Sequence, residues 1–442
     1  MLKRGYFCKM IDNLINLLYT GLSQIPDHRR TNNDRISYDL EDCLMGAFAM
    51  FSLKDPSLHQ FRNNYQERAA NLKRVYKLGG LPSDTALRET IDGVNPDEIK
   101  GQFHMFFDYF KSENLLEDHK VLTDYIAISN DGTSQFCSCK NKCPFCLVRK
   151  HRNGKESNYH QLFASAIVSP QQKTVFPITA EPIVRQNETD EKNDCELNAS
   201  KRAIPAIRQI LPAAKVIMLY DALYANAPHI KELQKEENNL NFIINIKNGY
   251  IFKQLDELEK KGELQTFIWQ KDGKTFELFF QENLILNESN PDVFVNFFEY
   301  REIDTKTGKV LFYGSWITDL PLSQFEHTQL VELVAVARSR WKIENETFNT
   351  LKNQGYHLEH NYGHGKRYLA TNFALLTLLA FLIDQMTQKV DKHFQKALNK
   401  AKTKKNLWEK VRQVFDWFPC MSMNVIYQLI SKDIVVEFPL IE

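Results

Sequence analysis

The sequence is poor in the residues that mark several protein classes. Its 442 residues include 17 Gly and 8 Cys, too few for a collagen-like repeat or a disulfide framework. Neither sign of charge is in excess. There are 56 Lys and Arg against 55 Asp and Glu, a formal net charge of +1, which excludes a uniformly basic chain that coats nucleic acid. Internal repeats and low-complexity segments are missing too. The one long apolar run, 368–386, contains Asn372 and ends in Asp384 and Gln385, so it reads as a core helix rather than a membrane span. The start, Met1-Leu2-Lys3-Arg4, has the charge of a secretory leader, yet Lys9, Asp12, Asn13 and Asn16 interrupt the apolar stretch a leader needs. The expectation is a cytoplasmic protein without membrane contact. What is plentiful is aromatic: 30 Phe, 17 Tyr and 5 Trp exclude disorder, and the length predicts more than one domain.

Five regions follow from the patterning. Residues 1–120 read as helical, with helix starts at Ser37 to Asp42 and at Leu81 to Glu89, where Ser83 or Asp84 is the cap. They are predicted to form an N-terminal DNA-binding domain. From 121 to 249 the period changes to strands at Val121–Gly132, Gln161–Ser169, Thr174–Ile178, Lys215–Asp221 and Asn241–Ile246, with helices near 199–210 and 227–235. That is an α/β core in which carboxylates end two strands. Residues 250–325 are aromatic-rich and alternating, with hairpin turns at Lys271-Asp272-Gly273-Lys274 and 304–309, a β-rich insertion. Helices resume through 326–388, the second part of the core. A basic helical region, 389–442, ends the chain, and its stretch from Lys389 to Arg412 carries nine Lys or Arg against Asp391 and Glu409.

Three acids stand out. Asp131 in Asn130-Asp131-Gly132-Thr133 and Asp221 in Tyr220-Asp221-Ala222 are expected at the carboxyl ends of two apolar strands. If the strands are adjacent and parallel, both carboxylates share one sheet edge and can hold a hard divalent cation. The third lies in Arg338-Ser339-Arg340-Trp341-Lys342-Ile343-Glu344-Asn345-Glu346, where Arg340 and Glu344 are four apart and so share a helix face.

In this order and layout the chain resembles the DDE-type transposases of bacterial insertion sequences, in the group with a Tyr-Arg-Glu-Lys signature and a β insertion before the third acid. The resemblance spans about 120–388. It implies a ribonuclease H-like core with the catalytic acids Asp131, Asp221 and Glu344 and the signature arginine at Arg340. Two positions depart from the signature: the tyrosine is Ala337, and the lysine falls at Leu351, with Lys352 one place later. Glu346 is a rival third acid. The implied activity is Mg²⁺- or Mn²⁺-dependent cleavage at transposon ends and strand transfer into target DNA. Two ions about 3.5–4 Å apart would be held by the acids, as in other two-metal sites. The implied partners are double-stranded DNA, namely terminal inverted repeats and target, with the protein as a homodimer on it. Lys352, Lys150, Arg152 and Arg338 are the DNA-contact candidates. The alternatives are a metal-dependent nuclease of the same fold that does not join, and a zinc-containing DNA-binding regulator.

Four cysteines cluster as Cys137-x-Cys139-x₃-Cys143-x₂-Cys146. Away from an oxidising compartment this spacing reads as a structural Zn²⁺ site, with His151, His160 or Cys195 as alternative ligands. His357, His360 and His364 read as a polar or DNA-contacting loop ahead of a metal site.

Overall fold

A computed structural model describes residues 10–29, 36–140, 142–185 and 193–432. The leader-like start and most of the acidic stretch after Glu181 lie outside the described residues.

Six helices lead: α1 Met10–Leu22, α2 Leu40–Ser52, α3 Leu58–Asn63, α4 Tyr65–Tyr76, α5 Asp84–Asp92 and α6 Pro96–Ser112. Ser83 caps α5 by accepting the Ala86 N–H, which satisfies one of the open donors of a first helical turn.

The sheet begins with β1 Tyr125–Ser138, β2 Leu147–Lys150, β3 Glu156–Val168 and β4 Phe176–Ile183. After α7 Glu196–Ile210 come β5 Lys215–Tyr220, α8 Ala227–Gln234, β6 Asn241–Asn245 and α9 Tyr250–Lys261. Strands β7 Gln265–Lys271, β8 Lys274–Asn287, β9 Asn290–Asp304 and β10 Val310–Thr318 complete it. A two-residue strand, Lys120–Val121, also pairs with β1.

Strand β3 runs antiparallel to both β1 and β4, and β1–β5 and β5–β6 are parallel. The core order is therefore β4-β3-β1-β5-β6, three antiparallel strands followed by two parallel ones joined through helices. This is the ribonuclease H-like arrangement that the resemblance implies. The insertion strands β7–β10 continue the same sheet, because Ile243–Asn245 of β6 pair antiparallel with Trp316–Thr318 of β10. One sheet of eleven strands results.

One sequence expectation changes here. The sequence places Asp131 at the carboxyl end of a strand Val121–Gly132, but β1 runs on to Ser138. The apolar alternation stops at Asp131, yet β3 keeps pairing, with Asp131 opposite Ala164 and Thr133 opposite Leu162. What ends near Asp131 is the parallel partner, whose last pair with β1 is Ser129 with Leu219. Asp131 thus sits where β1 outruns β5.

Beyond β10, α10 His327–Arg338 leads through a 3₁₀ turn, Ser339–Trp341, into a π-helical turn, Ile343–Phe348, and the short helix α11 Asn349–Asn353. The long apolar run forms α12 Leu369–Val390, which is buried along its apolar window and packs on α1, α2, α5, α6 and β4. Three helices follow: α13 Lys392–Ala401, α14 Lys404–Trp417 and α15 Met423–Ser431.

Buried ion pairs lock these layers together. Lys54 pairs with Asp384 of α12 and lies 3.9 Å over the Trp408 ring of α14, while the Tyr356 hydroxyl donates to the same carboxylate at 2.7 Å. Such a network is costly to break, since one partner removed leaves the other buried and unpaired.

Candidate active site

Ser129, Asn130 and Asp131 succeed one another on β1 and act in turn. Ser129 Oγ donates to the Arg340 carbonyl at 2.7 Å, fixing the third-acid segment against β1. Asn130 Nδ2 donates to Ile128 and Leu219 carbonyls, and its Oδ1 accepts from Ser165 Oγ at 2.6 Å, so β1 is braced to both neighbours. The Asp131 carboxylate stands 3.7 Å from Arg340 Nη1, and Arg340 Nη2 is 2.7 Å from Glu344 Oε1. Arg340 is therefore a buried hub between two acids. Its Nε and Nη1 are buried without a hydrogen-bond partner among the described residues. Buried donors left without a hydrogen bond are costly.

Asp221 follows β5 directly and caps the next turn, accepting the Leu223 N–H at 2.9 Å. A fourth acid, unrecognised in the sequence, joins these. Glu196 opens α7, and a Cβ built on Gly132 would lie 2.2 Å from its Oε1. Glycine beside Asp131 leaves room for that carboxylate and does not mark a turn. The only signal was an acid in the first turn of a helix, hidden among many acids from 181 to 196.

The electrostatics tie the acids together. Burial, reinforced by Glu344 and Glu196, pushes the Asp131 carboxyl up to about 7 against the opposing pull of the Gly132 N–H and Arg340. Burial and then Asp221 raise Glu196. Tyr224, its hydroxyl buried without a partner among the described residues, is kept protonated by burial and by Glu196, Asp221 and Asp131 among its neighbours. A set of carboxylates that disfavour one another's charge, with only oxygen donors, fits a hard divalent cation.

The two candidate third acids face different ways. Glu344 contacts Arg340 and acts on Asp131, whereas Glu346 acts on Lys342 and Lys404. Lys342 is in turn engaged with the carbonyls of Ser169 and Gln172 at 2.7 and 2.5 Å.

The π turn also changes which later residue shares the face of Glu344. In a pure α-helix, seven steps from Glu344 return to within about 20° of the same face, which is Leu351. An i→i+5 turn takes up one extra residue, so the eighth step, Lys352, comes to that face instead. Leu351 is fully buried, and Lys352 is half-buried with its ammonium 2.9 Å from Glu359.

Other expected DNA contacts are spread out. Lys150 and Arg152 are exposed at the β2–β3 hairpin. Arg338 is drawn to the insertion, pairing with Glu302 and lying 4.0 Å over the Phe312 ring. In the basic C-terminal stretch, Arg412 donates to the Leu53 and Lys54 carbonyls, Lys389 pairs with Asp118 and Lys404 is half-buried. The stretch is only partly a solvent-facing charge.

The cysteines divide. Cys143 and Cys146 come together with His160, whereas Cys137, Cys139 and Cys195 are exposed. The four cysteines do not come together because the extension of β1 through Ser138 carries Cys137 away on the strand, while His160, opposite Phe136 in the β1–β3 register, turns toward Cys143.

Residues 183–383 match the family model described as the transposase DDE domain. The match contains Asp221, Arg340, Glu344 and Lys352 and begins beyond Asp131. No curated protein matches the chain. Among solved structures, the cryo-EM structure of a piggyBac transposase synaptic complex with hairpin DNA is similar at a TM-score of 0.40 and 10% identity, covering 99% of this chain and 82% of that one.

Proposed function

We propose that this chain, whose residues 183–383 match the family model of the transposase DDE domain, is a polynucleotidyl transferase that cuts the ends of its own mobile element and joins them to target DNA. The observation that carries the reading is the convergence of Asp131 and Glu344 on one buried arginine, Arg340, at 3.7 and 2.7 Å.

Asp131, Asp221 and Glu344 would hold Mg²⁺ or Mn²⁺, with Glu196 as an added carboxylate beside them. Bound divalent ions supply activation of a water or 3′-hydroxyl and charge relief at the leaving oxygen. The chain's own residues do the rest. Arg340 supplies the planar fork that matches a phosphate. Lys352, brought to the Glu344 face by the π turn, supports the DNA backbone. Lys150 and Arg152 extend the contact along the exposed hairpin, and the exposed lysines of α13 and α14 add a second basic face. The DNA partners are the element's terminal inverted repeats and the target, with two chains pairing two ends in a cytoplasmic protein.

The test is an in vitro reaction with DNA from the flanks of the coding sequence. The proposal expects Mg²⁺-dependent nicking at the inverted repeat and, with a precut end, covalent joining to a target plasmid. Cleavage without joining would assign a nuclease of the same fold, and binding without either would assign a regulator.

A further inference from the structure

A cluster apart from the acids has the make-up of a metal site. Cys143 and Cys146 lie at the turn before β2, with their sulfurs 3.5 Å apart. His160 Nε2 is 3.2 Å from the Cys143 sulfur. His364, more than two hundred residues further on, brings Nδ1 to 3.6 Å from the Cys146 sulfur. Ligands at tetrahedral corners, with Zn–S about 2.3 Å and Zn–N about 2.0 Å, stand about 3.3–3.8 Å apart. Three of the six spacings are close to those edges; Cys143, Cys146 and His160 all lie within 4.8 Å of one another, and His364 reaches the group at the Cys146 sulfur.

The surroundings point the same way. The Cys143 N–H donates to the Cys146 sulfur at 3.3 Å, the kind of backbone donor that steadies a thiolate. Phe136 holds both imidazoles, with ring centroids 5.0 Å from His160 and 4.1 Å from His364. The other nitrogens, His160 Nδ1 and His364 Nε2, are buried without a partner among the described residues. No strong protein hydrogen bond therefore sets either ring, and the rings are aimed at sulfurs, which are weak acceptors.

We propose that Cys143, Cys146, His160 and His364 form a structural Cys₂His₂ zinc site. Two thiolates and two neutral imidazoles balance the charge of Zn²⁺. The site would tie the far end of the β1–β3 ladder to the loop that follows the Glu344 segment. That loop is gripped from the other side by Asp92, which accepts the N–H groups of Lys366, Arg367, Tyr368 and Leu369 at 2.7–2.9 Å. A metal there fixes the loop between the N-terminal helices and the sheet. It also shapes one wall of a groove of about 840 Å³ that Arg88, Lys140, Lys142, His364 and Lys366 line. The inference does not depend on the catalytic reading.

The test begins with the unaltered full-length chain. Elemental analysis is expected to give one zinc per chain, and replacement by Co²⁺ to give the visible bands of a tetrahedral thiolate–imidazole site. Stripping zinc with a chelator should lower the melting temperature. His364→Asn should weaken zinc by at least about tenfold in chelator competition, and the double variant Cys137→Ser/Cys139→Ser should retain it. Zinc-free protein with no tetrahedral Co²⁺ spectrum would overturn the site. Zinc held equally by His364→Asn, or lost from the Cys137/Cys139 double variant, would overturn this ligand set.

Discussion

Arg340 reaches Glu344 with Nη2 at 2.7 Å and turns Nη1 toward Asp131 at 3.7 Å, so one buried guanidinium spans the first and third acids of the proposed triad. The four-residue spacing that brings Arg340 and Glu344 together is common on protein surfaces, where it contributes little. Here the arginine is only 7% exposed at its side chain and its Nε and Nη1 lack a hydrogen bond among the described residues, which is a different electrostatic situation.

Glu344→Gln is therefore expected to reduce Mg²⁺-dependent end cleavage by at least about a thousandfold, the scale of losing a metal-holding carboxylate. Glu346→Gln, which touches the Lys342 and Lys404 side of the turn, should stay within about threefold of the unaltered protein. Single-turnover cleavage of a labelled end fragment separates the two, and an inverted ranking would move the third acid to Glu346.

Lys352→Ala should weaken end-DNA binding and lower the salt slope of log K by about 1, as loss of one phosphate contact does. Leu351→Ala should instead destabilise the fold by about 2–4 kcal/mol through a buried cavity. Binding isotherms at several salt concentrations, together with urea unfolding, check both. An unchanged salt slope in Lys352→Ala would remove it from the DNA contact.

Much of the site could be read from the residues because it depends on local patterns. Val216 to Tyr220 is a run of apolar residues followed by Asp221, and the strand ends there. Asp131 was found as a residue but placed at a strand end, since alternation shows where an apolar face stops and not where an antiparallel partner goes on pairing. The π turn has no sequence mark, so Lys352 looked one place out of register. Glu196 was hidden because acids near 190 are numerous and only the closeness of Gly132 singles one out. The cysteine cluster drew attention to near neighbours, whereas the structure supplies His160 and His364 from a strand register and a distant loop. Long-range partners of this kind come from the packing of the sheet against the helices.

Acid sensitivity should come in part from His229, which is buried against the rings of Tyr220 and Tyr224 with neither nitrogen paired among the described residues. Burial, with Lys201 adding to it, pushes its pKa down from 6.5 to about 4. The unfolded chain binds the proton first, so this group's contribution is complete above about pH 6.5 and is lost as pH falls toward 4, by at most about 3 kcal/mol. Urea midpoints measured between about pH 7 and pH 4.5 should fall less steeply for His229→Phe than for the unaltered protein. Parallel slopes would show that His229 is not the group responsible.

The most direct measurement is cleavage by Asp131→Asn, a substitution that keeps the shape on β1 and removes the charge. With Mg²⁺ and a duplex carrying the element's end, the account predicts binding within about twofold of the unaltered protein and cleavage reduced by at least about a thousandfold. Cleavage at an undiminished rate by Asp131→Asn would contradict it.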